Sequence, residues 1–288
     1  MVYLIIVTAL WAFSFSLIGE YLIGLDIYFL VFMRVFLASL VFIPFTKFKG
    51  IPARLQISLF LIGSIQIGIM YLCLYHSYNF LTVPEILLFT IFTPFYVTLI
   101  YDIFHKQFNA LYLISALVAV LGAYIIRYQN VNSGFLIGFI FIQAANICFA
   151  AGQSAYKYVI EKHQTFDQKE IFGYFHFGAS VVTVAAVLAL GNFEKMNPST
   201  FQWGILIWLG VAASGVGYFL WNKGATMVDA GTLGIMNNAL IPAGLFINII
   251  FWGKVENYIS LSIGTAVIVF SLWLHAKFVK LKKTKNIA

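Results

Sequence analysis

Arg34 is the side chain whose placement most needs an explanation. It stands seven residues into an otherwise apolar run, about 10 Å from the end of that run at 1.5 Å per residue. An arginine near the centre of a membrane span costs about 2.5–3.5 kcal/mol, so something must offset it. On one reading Arg34 is structural: it pairs with Glu85 or Glu20, or snorkels outward. On the other it faces a cavity and attracts a carboxylate. A second polar set is Gln143, Asn146, Gln153 and Lys157. Its spacing places all four on one stripe of a helix. Lipid rejects such a stripe, so it faces protein or water, either as a substrate lining or as a hydrogen-bonded seam between helices.

Further candidates are Ser214, Tyr218 and Trp221 on one face, Asn237 with Asn248, and Asn238 beside Pro242. Pro94 and Pro242 each lack a backbone donor and free a carbonyl one turn earlier. Such positions could bind substrate or only bend the helix. Trp11 could stack on a ring or cap a cavity. Glu85 and His76 are the titratable groups suited to proton coupling, and His176, with Ser180 and Thr183 on its face, reads as a core residue. Ser154 and Lys157 fit the spelling S-x-x-K, but its partner motifs are missing. There is no H-E-x-x-H, no G-x-S-x-G and no P-loop. Cys73 and Cys148 suit neither a disulfide framework nor a metal site. No enzyme, cofactor or metal is expected.

What must position these residues is a set of membrane helices. Of 288 residues, 62% are hydrophobic and 9% charged, and mean hydropathy is +0.93. A soluble domain carries about 25% charged residues, so a soluble enzyme is excluded. A helical span needs about 20 apolar residues. Ten such stretches can be marked, at 2–19, 27–45, 56–78, 83–101, 109–127, 134–157, 170–190, 202–222, 230–252 and 258–277. The first has no basic leader or cleavage site and reads as a retained span.

With the N-terminus inside, the inner connections and tail hold Lys47, Lys49, Arg54, Lys106, Lys157, Lys162, Lys169, Lys223, Lys277, Lys280, Lys282, Lys283 and Lys285. The outer connections hold Arg127, Lys195 and Lys254. This bias predicts cytoplasmic termini. The net charge of +7 therefore reads as an orientation signal, and no nucleic-acid partner is expected. The Lys-rich tail suits the anionic inner leaflet.

The chain divides near 128–133 into halves of five spans each. An odd span number makes the halves insert in opposite senses. Pro94 and Pro242 fall in the fourth span of each half, preceded at similar distances by Tyr71 and Tyr218. Inverted repeats are a recurring plan of secondary transporters, with the substrate near the midplane between them.

The residues also carry a family likeness. The run Leu10-Trp11-Ala12-Phe13-Ser14-Phe15, then Arg34-Val35-Phe36-Leu37-Ala38, then Tyr75-His76-Ser77-Tyr78 is followed about 15 residues on by Pro94. Later come Tyr218 to Ala225, Pro242 and Trp252-Gly253-Lys254. In order and spacing this resembles the ten-span EamA-type members of the drug/metabolite transporter superfamily, over essentially the whole chain. The Gly-Glu pair frequent after each proline helix in that family is missing: Gly253-Lys254 stands at one place and Asp102-Ile103-Phe104-His105 at the other. No role is carried over from those glutamates.

The resemblance implies a secondary carrier of amino acids, their analogues or other small organic ions, with export favoured. The expected architecture is an all-α polytopic protein of the cytoplasmic (inner) membrane, its two inverted five-helix repeats covering 1–130 and 131–288. The expected substrate lining is Trp11, Arg34, His76, Glu85, Gln143, Asn146, Gln153, Tyr218, Trp221, Asn237 and Asn238, with helix kinks at Pro94 and Pro242. The partners are a small-molecule substrate, the lipid bilayer and, as candidate coupling ion, protons; the oligomeric state is not read from sequence. Two alternatives stand beside this: an uptake carrier for a nucleotide-like or cationic metabolite, and a non-transporting membrane scaffold.

Overall fold

The computed structural model describes residues 1–104, 133–228, 230–253 and 258–285, with single positions at 114, 117, 118, 121 and 125. The expected fifth span, 109–127, lies outside the described residues apart from those positions. Every described element is helical. In order they are α1 (Val2–Tyr21), α2 (Ile27–Phe42), α3 (Ala53–Gly63), α4 (Met70–Ser77), α5 (Val83–Phe89), α6 (Thr93–Phe104), α7 (Ser133–Lys162), α8 (Gln168–Leu190), α9 (Thr200–Trp208), α10 (Gly217–Thr226), α11 (Ala230–Trp252) and α12 (Tyr258–Lys285).

Six of the described helical stretches are long and apolar enough to cross a membrane. They are Val2–Tyr21, Ile27–Phe45, Ala53–Ser77, Gly134–Lys162, Gln168–Leu190 and Thr200–Thr226; three shorter apolar helices accompany them. These helices are predominantly apolar, as membrane helices are. Leu136, Ile140, Leu188, Phe246 and Phe270 point outward and exposed, a surface suited to lipid.

The polar breaks supply the helix starts. Asp26 Oδ1 accepts from Phe29 N at 2.7 Å, capping α2. Asp26 Oδ2 accepts from Asn192 N at 2.9 Å, tying this turn to a distant loop. Thr82 and Glu85 make a capping box at α5, and Ser199 and Gln202 make another at α9. Each side chain satisfies amides that the first helical turn leaves unpaired.

Two features were not expected. First, α3 and α4 are joined through a π-helical stretch, Ser64–Ile69, and α9 and α10 through another, Leu209–Val216. In them the backbone reaches back five residues: Met70 N–H to Ile65 O, and Gly217 N–H to Ala212 O. Such widened turns occur often at functional sites. Second, the expected fourth span is broken by a 3-10 turn at Thr90–Phe92. Pro94 is therefore not a mid-helix kink but the second residue of α6, where its missing donor costs nothing. Pro242 does lie inside its helix, α11.

Helix α3 packs on α8 at unusually close range. A Cβ on Gly63 would fall on the Phe175 carbonyl, and one on Gly178 on the Phe60 carbonyl. Small residues at membrane helix crossings permit this approach.

Candidate functional site

The site grows out of the irregular backbone. The 3-10 turn sends Thr93 N–H to Thr90 O, so the Phe89 carbonyl takes its hydrogen bonds from another helix. Asn146 Nδ2 donates to it at 2.8 Å and Gln143 Nε2 at 3.4 Å, both from α7. Gln143 Oε1 in turn accepts from Tyr96 OH at 3.1 Å and from Asn146 Nδ2 at 3.2 Å. The polar stripe on α7 is thus half seam, half lining.

On another wall, the Leu209–Val216 stretch turns two groups inward. The Ala213 carbonyl accepts from Trp11 Nε1 at 2.9 Å. Ser214 Oγ accepts from Arg34 Nε at 2.5 Å and shares a hydrogen bond with Tyr71 OH at 2.8 Å. Arg34 NH1 donates to Tyr75 OH at 3.2 Å, and its guanidinium lies 4.2 Å from the Tyr71 ring centre, a cation–π distance. Arg34 is 2% exposed. Among the described residues no carboxylate lies within 4 Å of it.

Between these walls is a partly open cavity. Its aromatic lining is Trp11, Phe15, Tyr71, Phe149, Tyr218 and Trp221, and its polar lining Ser14, Arg34, Thr90, Thr93, Asn146 and Asn237. The rings of Trp11, Tyr71, Phe149, Tyr218 and Trp221 form one cluster. Trp11 lies 4.9 Å from both Tyr218 and Trp221 and 5.8 Å from Phe149, centre to centre. A concave, mostly apolar chamber with a few polar groups is the usual form of a small-molecule site.

Behind the aromatic cluster the chamber is closed by polar contacts. Trp221 Nε1 donates to Gln153 Oε1 at 2.6 Å. Gln66, in the first π stretch, and Asn222, in α10, exchange amide hydrogen bonds of 3.0 and 3.4 Å. Both are fully buried. Lys157 Nζ donates to the Ala225 and Val228 carbonyls, closing the end of α10.

Six of the expected residues line the chamber: Trp11, Arg34, Asn146, Tyr218, Trp221 and Asn237. The others stand elsewhere. Gln143 and Gln153 support lining residues. His76 bonds through Nδ1 to Leu72 O at 2.7 Å and packs against Tyr28 and Phe141. Glu85 does not pair with Arg34; its Oε2 accepts from Thr82 N and Thr82 Oγ1. The sequence Thr82-Val83-Pro84-Glu85 already spells that capping box, so local geometry claims the carboxylate. Asn238 Oδ1 is sealed away without a partner. Sequence reasoning missed Tyr71, Phe149, Thr90 and Thr93. For Tyr71 the signal was a phenol near the middle of a span, since a buried tyrosine hydroxyl needs a partner.

A model of the EamA-like transporter family matches residues 1–128. A probable biotin transporter of Pseudomonas aeruginosa is 50% identical over 275 residues, covering 95% of this chain and 96% of the relative. The biotin transporters of Salmonella typhimurium and Escherichia coli K12 are 50% identical over 282 and 281 residues, each covering 97% of this chain and 94% of the relative. A solved protein described only as "Crystal structure of protein" shares the fold, with a TM-score of 0.69, 13% identity and 95% of each chain covered. With its apolar helices and aromatic-lined chamber, the chain belongs to the EamA-like transporter family of the drug/metabolite transporter superfamily: a multi-pass protein of the inner membrane that transports a small metabolite.

Proposed function

We propose that the substrate is biotin or a close analogue, held by its carboxylate at Arg34 and carried by alternating access. The carrying observation is Arg34 itself: a buried cation, lining the chamber, whose partners are hydroxyls and a ring. Hydroxyls and rings leave the positive charge for a bound anion to neutralise, and a guanidinium binds a carboxylate as a fork. The apolar rings beside it suit an alkyl chain and a fused ring system. The relatives' names replace amino acids, the leading class from sequence, with a vitamin. A cationic substrate fits an Arg34-dominated chamber poorly, and Glu85 is occupied at a helix cap.

We place the chamber at the interface of two inverted five-span halves, 1–130 and 131–288, ten spans in all, with both ends cytoplasmic. Support comes from the lysine and arginine distribution and from the described helices, which fall where spans were marked. No enzymatic step is assigned. An alternating-access carrier is reversible, so export or uptake is a matter of the gradient it meets.

The test is movement of labelled biotin across proteoliposomes, with and without an imposed pH gradient, loaded from either side. Saturable flux, competed by free biotin but not by its methyl ester, is expected. Equal competition by the ester would remove the carboxylate from the mechanism. Gradient-dependent flux would mark proton coupling. Absence of biotin flux with movement of an amino-acid pool would return the first-choice class.

A further inference from the structure

We propose that Asn146 and Asn237 form an acceptor pole that reads N–H donors on the head of the substrate. This rests on the carboxylate reading of Arg34 and adds a second determinant of specificity on another wall.

The argument begins with which atom of each amide is already used. Asn146 Nδ2 donates to Phe89 O at 2.8 Å and to Gln143 Oε1 at 3.2 Å. Asn237 Nδ2 donates to Leu233 O at 3.0 Å. A carbonyl accepts from NH₂ and not from another carbonyl, so these contacts fix both amides in one orientation. In each case the nitrogen is committed to protein, and among the described residues no hydrogen bond involves Oδ1. Unlike Asn238 Oδ1 and Asn248 Oδ1, these oxygens are not sealed away from solvent, and both residues line the chamber. The chamber therefore presents two amide oxygens whose geometry cannot be inverted without breaking bonds to Phe89 and Leu233.

Such a wall discriminates. A ligand with N–H groups satisfies both oxygens; a ligand with an apolar head strips their water and returns nothing. Sites of this kind reject analogues that lack the donor far more strongly than apolar pockets reject a missing methylene. With Arg34 elsewhere in the same chamber, the ligand class is defined at two points: a carboxylate, an apolar spacer, and a head carrying N–H donors. A cyclic urea on an alkanoate has that pattern. A dithiolane on the same alkanoate does not.

The experiment is displacement of labelled biotin from the full chain in detergent by unlabelled biotin, desthiobiotin and lipoate. Desthiobiotin keeps the urea and carboxylate; lipoate keeps only the carboxylate and chain. Desthiobiotin is expected to compete within about threefold of biotin, and lipoate at least about tenfold more weakly. In Asn237→Ala the biotin–lipoate gap is expected to fall below about threefold, because biotin weakens and lipoate does not. This variant is the cleaner one, since Leu233 lies in the same helix as Asn237. Asn146→Ala is the second variant. The gap is a ratio within one preparation, so a lowered folded fraction does not move it.

Lipoate competing as well as biotin in the unaltered chain would overturn the proposal. So would a gap unchanged in both variants while biotin still binds, and in that case the Arg34 reading stands. Absence of biotin binding to the unaltered chain would overturn both readings.

Discussion

Arg34 Nε donates to Ser214 Oγ at 2.5 Å, joining residues 180 positions apart. The acceptor sits in a π-helical stretch and is shared with Tyr71. The only formal charge among the described residues of the chamber wall is thus held by hydroxyls, which orient a guanidinium without neutralising it. Arg34→Ala is expected to reduce biotin flux or binding at least about tenfold, since hydrogen bonds to charged groups contribute about 1.5–3 kcal/mol. Arg34→Lys keeps the charge but not the fork and should recover part of it. Lys195→Ala, in the turn after α8 where the backbone carbonyl of Lys195 rather than its side chain holds Asp26 N, should leave flux within twofold or so of normal, since surface substitutions change stability by only about ±0.5 kcal/mol. Equal behaviour of Arg34→Ala and Lys195→Ala would discard Arg34.

The Gln66–Asn222 pair offers a separate test, on stability. Asn222→Leu leaves the Gln66 amide buried without its partner, at a cost of about 1–3 kcal/mol. A double-mutant cycle with Gln66→Leu should give a coupling of about 0.6–1.7 kcal/mol, the range for polar contacts between membrane helices. The measurement is reversible unfolding in mixed micelles. Additive losses would show that the two amides do not stabilise one another.

Trp11→Phe removes the indole N–H that meets Ala213 O together with part of the ring surface, and keeps a smaller aromatic ring. The lost hydrogen bond alone is expected to cost about 0.5–1.5 kcal/mol of stability, with part of the ring contact to Tyr218 and Trp221 kept. Trp11→Ala removes all of it and should weaken biotin binding the more. If Phe and Ala weaken binding equally, the indole itself and not an aromatic ring as such is what the chamber needs.

Gly63→Ala and Gly178→Ala place a methyl against a backbone carbonyl of the facing helix. Each should destabilise by about 1–3 kcal/mol, as overpacking does. Gly204→Ala, where nothing lies within 4 Å of the added carbon, is the control and should be neutral or mildly stabilising.

Much of the helical plan was legible because hydrocarbon imposes a length and an apolarity that sequence displays directly. Arg34 was legible for the same reason, as a charge where none is cheap. The π stretches were not, because a shift from four-residue to five-residue hydrogen bonding leaves no mark in side-chain type. Ser214 could be placed on a face with Tyr218, yet its meeting with Arg34 depends on that shift. Glu85 shows the opposite fault. Its nearest chemistry, three residues back at Thr82, is written in the sequence and takes precedence over the longer-range partner Arg34. For Asn146 the helix face was readable; that its nitrogen would be taken by Phe89 O was not, since that carbonyl is freed only by the Thr90–Phe92 turn.

The close approach of α3 and α8 constrains how the molecule can move. Two backbones touching through Gly63 and Gly178 cannot slide past one another without lifting a carbonyl over a Cα. They behave as one welded strut, although α3 comes from the first part of the chain and α8 from the second. In the proposed alternating-access cycle, motion that opens and closes the chamber therefore falls along other seams, and the moving bodies are mixed assemblies of early and late helices, not the two stretches of sequence swinging as separate blocks.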